Sequence, residues 1–325
     1  RFREKAKCNA DTYFGDWIAA ANAIRARVPE ARFGVPDVAS NVGWFAPIAD
    51  RLAAMQDAPH IAALTHHYYF TGPPSNPKAN IDDLLHGDPR VARDGELSRA
   101  AAEKLHTRYR MTEGNTCYRG GKPGLSDVFA ASLWAADYLL TLASLGYAGV
   151  NLHGGDGQMV ANSLGGRLPG DDLVKDNPAS HPHPYYTPIA HMGSKYVAEP
   201  VSHGMRFAGQ FAGTTMIPID FDPGPVNATA FAAIPVDSDT GSVNAAAFPA
   251  RPVEETPSKI RQREVGSGRV LIAIINKDAS QALNVKLPSV PVSVDTVSAA
   301  SLTATEVVQQ QAPLFPGAER SVPPH

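Results

Sequence analysis

Arg108-Tyr-Arg-Met-Thr-Glu-Gly-Asn-Thr-Cys117, with the run Leu125-Ser-Asp-Val-Phe-Ala-Ala-Ser-Leu-Trp-Ala-Ala-Asp-Tyr-Leu-Leu140 behind it, decides the fold. Residues 108 to 113 read as a strand that runs out into Gly114 and Asn115. Residues 127 to 146 then carry Phe129, Leu133, Trp134, Tyr138, Leu142 and Leu145 at helical spacing, a wide apolar stripe. Asp127 or Ser126 can cap this helix at its start and Gly146 at its end. A second strand, Gly149-Val-Asn-Leu-His153, follows at once. Strand, helix, strand at this spacing means parallel pairing.

The same rhythm extends toward the start of the chain. Residues 13 to 27 predict a helix, with Phe14, Trp17, Ile18, Ala21 and Ile24 recurring on one face and Pro29 ending it. Residues 32 to 38 read as a strand, and residues 44 to 55 as a helix with Pro47 in its first turn. Ile61-Ala-Ala-Leu-Thr-His-His-Tyr-Tyr-Phe70 is a strand that ends in polar aromatics. Residues 71 to 93 read as a loop and residues 96 to 106 as a helix. The four strands, near 33, 64, 110 and 151, are too few to close an eight-stranded barrel. They are half of one, or most of an open sheet. Polar residues follow each of them: Asp37 and Asn41, His66 to Tyr69, Glu113 and Asn115, and His153. That distribution favours a barrel, where all C-terminal strand ends meet.

Past a long polar loop ending near His183 and a helix over 201 to 213, the helical rhythm stops. Segments at 216–221, 228–235, 242–248, 269–275 and 283–287 are strand-like and separated by turn residues, so the tail reads as a small β-sandwich. The expected architecture is therefore α/β: the C-terminal half of a (β/α)8 barrel over 1–213 and a β-sandwich over 214–325.

Bulk properties narrow the function classes. The 325 residues are 43% hydrophobic and 19% charged, with a formal net charge of −3. No dense Lys/Arg run exists to neutralise phosphates, so no nucleic-acid partner is expected. No run of 18 apolar residues exists, so no membrane span is expected. The two cysteines, Cys8 and Cys117, form no metal-binding spacing; they could form a single disulfide but read as free or buried thiols. The chain opens on Arg1-Phe-Arg-Glu-Lys5 without an initiator methionine, so it reads as the middle of a longer protein and its localisation is not legible. No cofactor loop is found: Gly154-Gly-Asp-Gly157 lacks the spacing and the lysine of a phosphate cradle.

Glu113 is the leading candidate for chemistry, since a carboxylate at a strand end is aimed into the top of a barrel. It could act as a nucleophile, or simply cap a loop amide or pair with Arg110. In His66-His-Tyr-Tyr69, period two puts His66 and Tyr68 on one face and His67 and Tyr69 on the other, and either pair could orient Glu113. A metal drawn from His66, His67, His153, His181 and His183 is disfavoured, because adjacent histidines on a strand diverge. Arg119, Lys122, His153, Tyr185 and Tyr186 are possible substrate contacts, and the amides of Gly120 and Gly121 could hold an anion in a turn nest or merely form a surface turn.

At these residues the sequence resembles the heparanase and β-glucuronidase family, glycoside hydrolase family 79. The segment 110–140 is similar to the family's nucleophile strand, loop and following helix. The resemblance implies a retaining hydrolase of β-linked glucuronides or glucuronic-acid-containing glycans, with Glu113 as nucleophile. It implies that His66 and Tyr68 form the inward pair, that the Gly120 loop and Tyr186 hold the uronate carboxylate, and that Asn151-Leu-His-Gly-Gly155 ends the last barrel strand. The family's acid/base glutamate closes strand four; no matching motif occurs here, so it is expected on polypeptide before Arg1, within about 5–5.5 Å of Glu113 in the assembled site. The resemblance also carries an expectation of a secreted or periplasmic protein. Two other readings stay open: a retaining glycosidase on neutral sugars, and a non-catalytic carbohydrate-binding fragment.

Overall fold

The computed structural model describes residues 8–155, 183–236, 270–286, 292–314 and 319–324. The expected strand at 242–248 and most of the loop ending near His183 lie outside these residues. The chain divides into two compact units. One comprises Arg1–Tyr68, Asp88–Gly114 and Leu145–Leu152; the other comprises Tyr69–Gly87, Asn115–Ser144 and His153–His325.

The first unit begins with helix α1 (Ala10–Arg25). A capping box starts it: the Asn9 side chain accepts from the Thr12 amide at 2.9 Å, and the Thr12 hydroxyl faces the Asn9 amide at 3.2 Å. Strand β1 (Arg32–Val38) follows, then a 3-10 turn over Val42–Trp44 and helix α2 (Phe45–Ala53). Phe45, Ile48, Ala49 and Leu52 give α2 a buried face that packs against α4 (Pro89–Lys104). Strand β2 (His60–Tyr69) is buried without alternation from Ala63 to His66, as a strand covered on both faces must be. Strands β3 (Arg108–Asn115) and β4 (Val150–Leu152) complete a four-stranded sheet in the order β1-β2-β3-β4. Strands β1 and β2 pair in parallel, as do β3 and β4, as the strand–helix rhythm requires.

Residues 71 to 93 were expected as loop, yet they hold helix α3 (Ile81–His86) and the start of α4. Both carry start signals in the sequence: Asn80 accepts from the Asp83 amide at 2.8 Å, and Asp88 precedes Pro89 at the first helical position.

The second unit is organised on α5 (Phe129–Ser144). Ala130, Ala131, Ser132, Ala135 and Ala136 are buried along with the expected large residues, so α5 is covered on nearly every side rather than along one stripe. Trp134 and Tyr138 stack at 5.1 Å. The expected capping by Ser126 or Asp127 is corrected. The first helical amides, Phe129 and Ala130, donate to the carbonyls of Ala304 and Leu302, while the Asp127 carboxylate takes the Gly124 amide. Gly146 ends the helix at φ +87°, and a Cβ there would meet the Tyr109 hydroxyl at 2.6 Å.

Helix α6 (Pro200–Gly209) lies against α5. A Cβ at Gly204 would stand 2.1 Å from the Ser132 carbonyl oxygen, so glycine sets how closely these helices approach. Between them in sequence comes an antiparallel hairpin, β5 (Ile189–Met192) with β6 (Lys195–Ala198). The rest is β-rich. Strands β7 (Thr214–Ile217), β8 (Ala228–Pro235) and β9 (Leu271–Asn276) form an antiparallel sheet in that order. Strand β10 (Leu283–Lys286) pairs with β13 (Glu319–Val322), and β11 (Val292–Ser298) pairs with β12 (Val308–Leu314). Lys277, just past β9, reaches back to Asp137 on α5 at 2.9 Å, and the Thr229 hydroxyl donates to the same carboxylate at 2.6 Å.

Candidate active site

The C-terminal ends of β1, β2 and β3 bring Asp37, His67, Thr112 and Glu113 together. Irregular backbone makes this possible. The β1/β2 register jumps between Pro36 and Val38, leaving Asp37 outside the ladder at φ +57°, a conformation that Asp tolerates better than most residues. The register of β3 shifts between Met111 and Gly114, and its alternation of buried and exposed residues ends there. Thr112 and Glu113 are thereby both released toward the neighbouring strands. A Cβ at Gly114 would lie 2.3 Å from the Tyr68 carbonyl oxygen, so glycine is needed directly after Glu113.

His67, on the middle strand, stands between carboxylates from both neighbours. Its Nε2 is 3.3 Å from Asp37 Oδ2, and its Nδ1 is 3.8 Å from Glu113 Oε2. The first distance suits a hydrogen bond; the second is a charge contact beyond hydrogen-bond reach. The Thr112 hydroxyl donates to the other oxygen of Asp37 and lies 3.2 Å from the His66 carbonyl. Its single proton goes to the carboxylate, the stronger acceptor. The hydrogen bond from His67 is the largest influence on Asp37 and, with that from Thr112, outweighs burial to hold its carboxyl at about 2. For His67, burial opposes the charged form most strongly, yet the Asp37 hydrogen bond and the charges of Glu113 and Asp37 raise it above the ordinary imidazole range. Tyr13 on α1 is raised to about 12, mainly by burial and further by the charge on Asp37.

The expectation that His66 and Tyr68 flank Glu113 is corrected. His66 is only 2% exposed, and its Nε2 meets the Tyr147 hydroxyl at 2.8 Å, with Phe45 packed edge-on against its ring. Burial lowers its basicity. Tyr68 is also buried; its hydroxyl donates to Asp88 at 3.1 Å, and Arg90 lies over its ring. Asp88 caps α4 and Phe45 belongs to α2, so both side chains face the helix layer. The side chains of β2 alternate, with His66 and Tyr68 on the helix-layer face and His67 turned to the strand ends of its neighbours. His67, on the other face of β2, stands beside Glu113.

The second unit holds the other expected residues. His153 Nδ1 and the Tyr186 hydroxyl are 2.9 Å apart, their rings edge to face. Tyr186 is 1% exposed and lies 6.5 Å, ring to ring, from Tyr69. Buried Asn115 ties this region together: its amide nitrogen donates to the carbonyls of His153 at 3.0 Å and Tyr186 at 3.3 Å, and its oxygen accepts from the Thr116 amide at 2.9 Å. The sequence places Asn115 beside Glu113 but gives no sign of this anchoring role. Arg119, Gly120 and Gly121 follow one another at φ +60°, +89° and +85°, the left-handed run of a tight turn. The Gly120 carbonyl accepts from the Tyr185 amide at 2.7 Å, and a Cβ at Gly121 would meet Ser126 at 2.8 Å. Lys122, considered as a substrate contact, donates to the Ala79 carbonyl at 2.6 Å, and Arg119 lies over the Tyr118 ring. Among the described residues, no group of three or more metal-ligating side chains occurs, and no helix is long and apolar enough to cross a membrane.

Comparison with known proteins adds to this geometry. No family model matches the chain. It is similar to a β-glucuronidase of Aspergillus niger, 25% identical over 167 residues, and to one of Neurospora crassa, 27% identical over 170 residues. Those alignments cover 47% and 45% of this chain but only 31% and 29% of the relatives. Among solved structures, it is similar to a 4-O-α-L-rhamnosyl-β-D-glucuronidase of Fusarium oxysporum 12S, with TM-score 0.60 and 14% identity. That match covers 96% of this chain and 60% of the other. An α-L-arabinofuranosidase of Thermotoga maritima matches with TM-score 0.58 and 12% identity, over 98% of this chain and 61% of the other. The chain thus spans less than two thirds of the length of each of these proteins. It is distantly related to β-glucuronidases, and its α/β fold resembles that of (β/α)8-barrel glycosidases with an associated β-rich region.

Proposed function

We propose that this chain is the C-terminal part of a retaining glycoside hydrolase acting on β-linked glucuronides or glucuronic-acid-containing glycans, with Glu113 as the nucleophile. The observation that carries the reading is the placement of Glu113: a half-exposed carboxylate at the end of a parallel strand, its oxygen turned toward the imidazole of His67. A retaining mechanism needs such a carboxylate to attack the anomeric carbon and form a glycosyl ester. It also needs a second carboxylate to protonate the leaving oxygen, and in this reading that acid/base lies on polypeptide before Arg1. The division into a half barrel over 1–213 and a β-sandwich over 214–325 belongs to the same reading. It is supported by the parallel β1–β4 sheet and by the antiparallel strands after Thr214.

For the substrate's carboxylate we assign the amides of Gly120 and Gly121, with His153 and with Tyr186, whose hydroxyl is shared with His153. Two fungal β-glucuronidases among the relatives support a uronate. The likeness to an arabinofuranosidase supports the second reading, a retaining enzyme for neutral sugars. The two are separated by offering the full-length protein a chromogenic β-glucuronide, the matching glucoside and an α-L-arabinofuranoside. Hydrolysis of the glucuronide alone is expected; preference for either neutral substrate overturns the uronate assignment. Glu113→Gln is expected to bind substrate without turnover, and an active Glu113→Gln enzyme removes the nucleophile. A full-length protein that binds glucuronides but hydrolyses nothing favours a carbohydrate-binding role.

A further inference from the structure

Asp37 and Glu113 come from the two strands that flank β2, and both address the same side chain on it, the imidazole of His67. We propose that His67, anchored by Asp37, is the positioning residue of Glu113, acting as an imidazolium that orients the attacking carboxylate. The proposal rests on Glu113 being the nucleophile.

Three observations carry it. The ring is held on one side and aimed on the other: Asp37 takes Nε2 at 3.3 Å, so the Nδ1 edge is directed at Glu113, 3.8 Å away. Asp37 is itself held from a second direction by the Thr112 hydroxyl, so its carboxylate is a fixed anchor. The residue doing this holding directly precedes Glu113, and the bulge in β3 allows both side chains to face the neighbouring strands. The strand order therefore ties the anchor, the imidazole and the nucleophile into one unit across β1, β2 and β3. Between two carboxylates the protonated ring is favoured over the neutral one, since each supplies an opposite charge within about 4 Å. His66, the next residue, turns to the helix layer, where its Nε2 meets the Tyr147 hydroxyl. The charged groups facing His67 are Asp37 from β1 and Glu113 from β3, and Tyr13 of α1 feels the charge of Asp37.

An ion pair that merely braces three strand ends would show the same distances, so the test must read charge and not folding. A 2-deoxy-2-fluoro-β-glucuronide with a dinitrophenolate leaving group suits it. Glu113 attacks the anomeric carbon, the glycosidic bond breaks, and the phenolate departs with the electron pair. No general acid is required, so that group does not govern the alkaline limb. The full-length protein is labelled across a range of pH in the wild type, Asp37→Asn, Asp37→Glu and His67→Gln, while the His67 ring is followed by NMR.

In the wild type, labelling at Glu113 is expected to fall as the His67 resonance reports loss of its proton. In Asp37→Asn both the resonance and the alkaline limb should move to lower pH together, and Asp37→Glu should restore much of the difference. A shift of one unit in the limb is about a tenfold loss of labelling above it. His67→Gln should label more slowly and lack that limb. If Glu113 is labelled normally but the limb stays in place while the His67 titration moves, the positioning role is overturned and the glycosidase reading stands. If His67 titrates identically in the wild type and Asp37→Asn, the pair itself is refuted. If the probe leaves Glu113 unlabelled and modifies another carboxylate, the nucleophile assignment fails and the role of His67 fails with it.

Discussion

His66 and His67 are adjacent on one strand and serve opposite sides of the sheet: His66 Nε2 lies 2.8 Å from the Tyr147 hydroxyl in the buried helix layer, while His67 Nε2 lies 3.3 Å from Asp37 at the strand ends. Substitutions at the two positions should therefore fail in different ways.

Replacing Tyr147 by Phe removes a buried partner of His66 and leaves the ring nitrogen unsatisfied. A cost of about 1–3 kcal/mol is expected. It should appear as a lower midpoint in chemical denaturation, with little change in the rate at which folded protein is labelled at Glu113. A normal midpoint would mean that His66 finds another partner.

Asp37→Asn should change how stability depends on pH. The depressed carboxyl of Asp37 contributes stability that is present above its unfolded value near ~4 and lost as pH falls toward 2. The raised His67 contributes stability that is complete below its unfolded value near ~6.5 and lost as pH rises through its folded value. Their shared contribution is therefore greatest between about pH 4 and 6.5. Urea titrations of wild type and variant should differ most in that window and converge at pH 2. Asp37 is more than half exposed, so solvent screening keeps the difference small. A pH-independent difference would contradict the pairing.

Gly204→Ala tests the approach of α5 and α6. The new methyl would meet the Ser132 carbonyl oxygen at 2.1 Å, so the helices must separate. Overpacking of this kind costs about 1–3 kcal/mol. Thermal unfolding should show the loss, and an unchanged midpoint would mean that the helices sit farther apart.

Gly114→Ala should impair both stability and chemistry. Its methyl would collide with the Tyr68 carbonyl oxygen, which is backbone and has little freedom to give way. Displacing β3 at this point moves Glu113. Labelling of the folded fraction should fall by about tenfold or more, as small misplacements of a reacting group do. Normal labelling would show that the bulge at Gly114 does not position the nucleophile.

Replacing Glu113 by Ala, with azide supplied, tests the nucleophile from the product side. A small anion in the vacated space should attack an activated substrate and yield a glycosyl azide of inverted configuration. Product NMR reads the configuration. Formation of the retained azide would place the nucleophile elsewhere.

Much of the fold was legible because it is written locally. The wide apolar pattern of 127–146 and its terminal Gly146 correspond to α5, and the apolar runs near 33, 64, 110 and 151 correspond to the parallel strands. The alternating tail yields β7 to β10 within a few residues. The losses occurred where two local signals competed, as in the proline-rich segment that conceals α3, or where the decisive partner is remote. Phe129 and Ala130 find their carbonyl acceptors more than 170 residues away, which no capping pattern can anticipate.

The sequence by itself determined that Glu113 ends a strand and that His66-His-Tyr-Tyr69 presents one imidazole and one phenol to each face, because side chains alternate along any strand. It could not determine which face is which. That choice depends on Phe45, Asp88 and Tyr147 covering one side of β2, and on the bulges that bring Asp37 and Glu113 to the strand ends on its flanks. A period of two is symmetric until packing against other elements breaks the symmetry, so the identity of Glu113's imidazole neighbour was decided only by the tertiary structure.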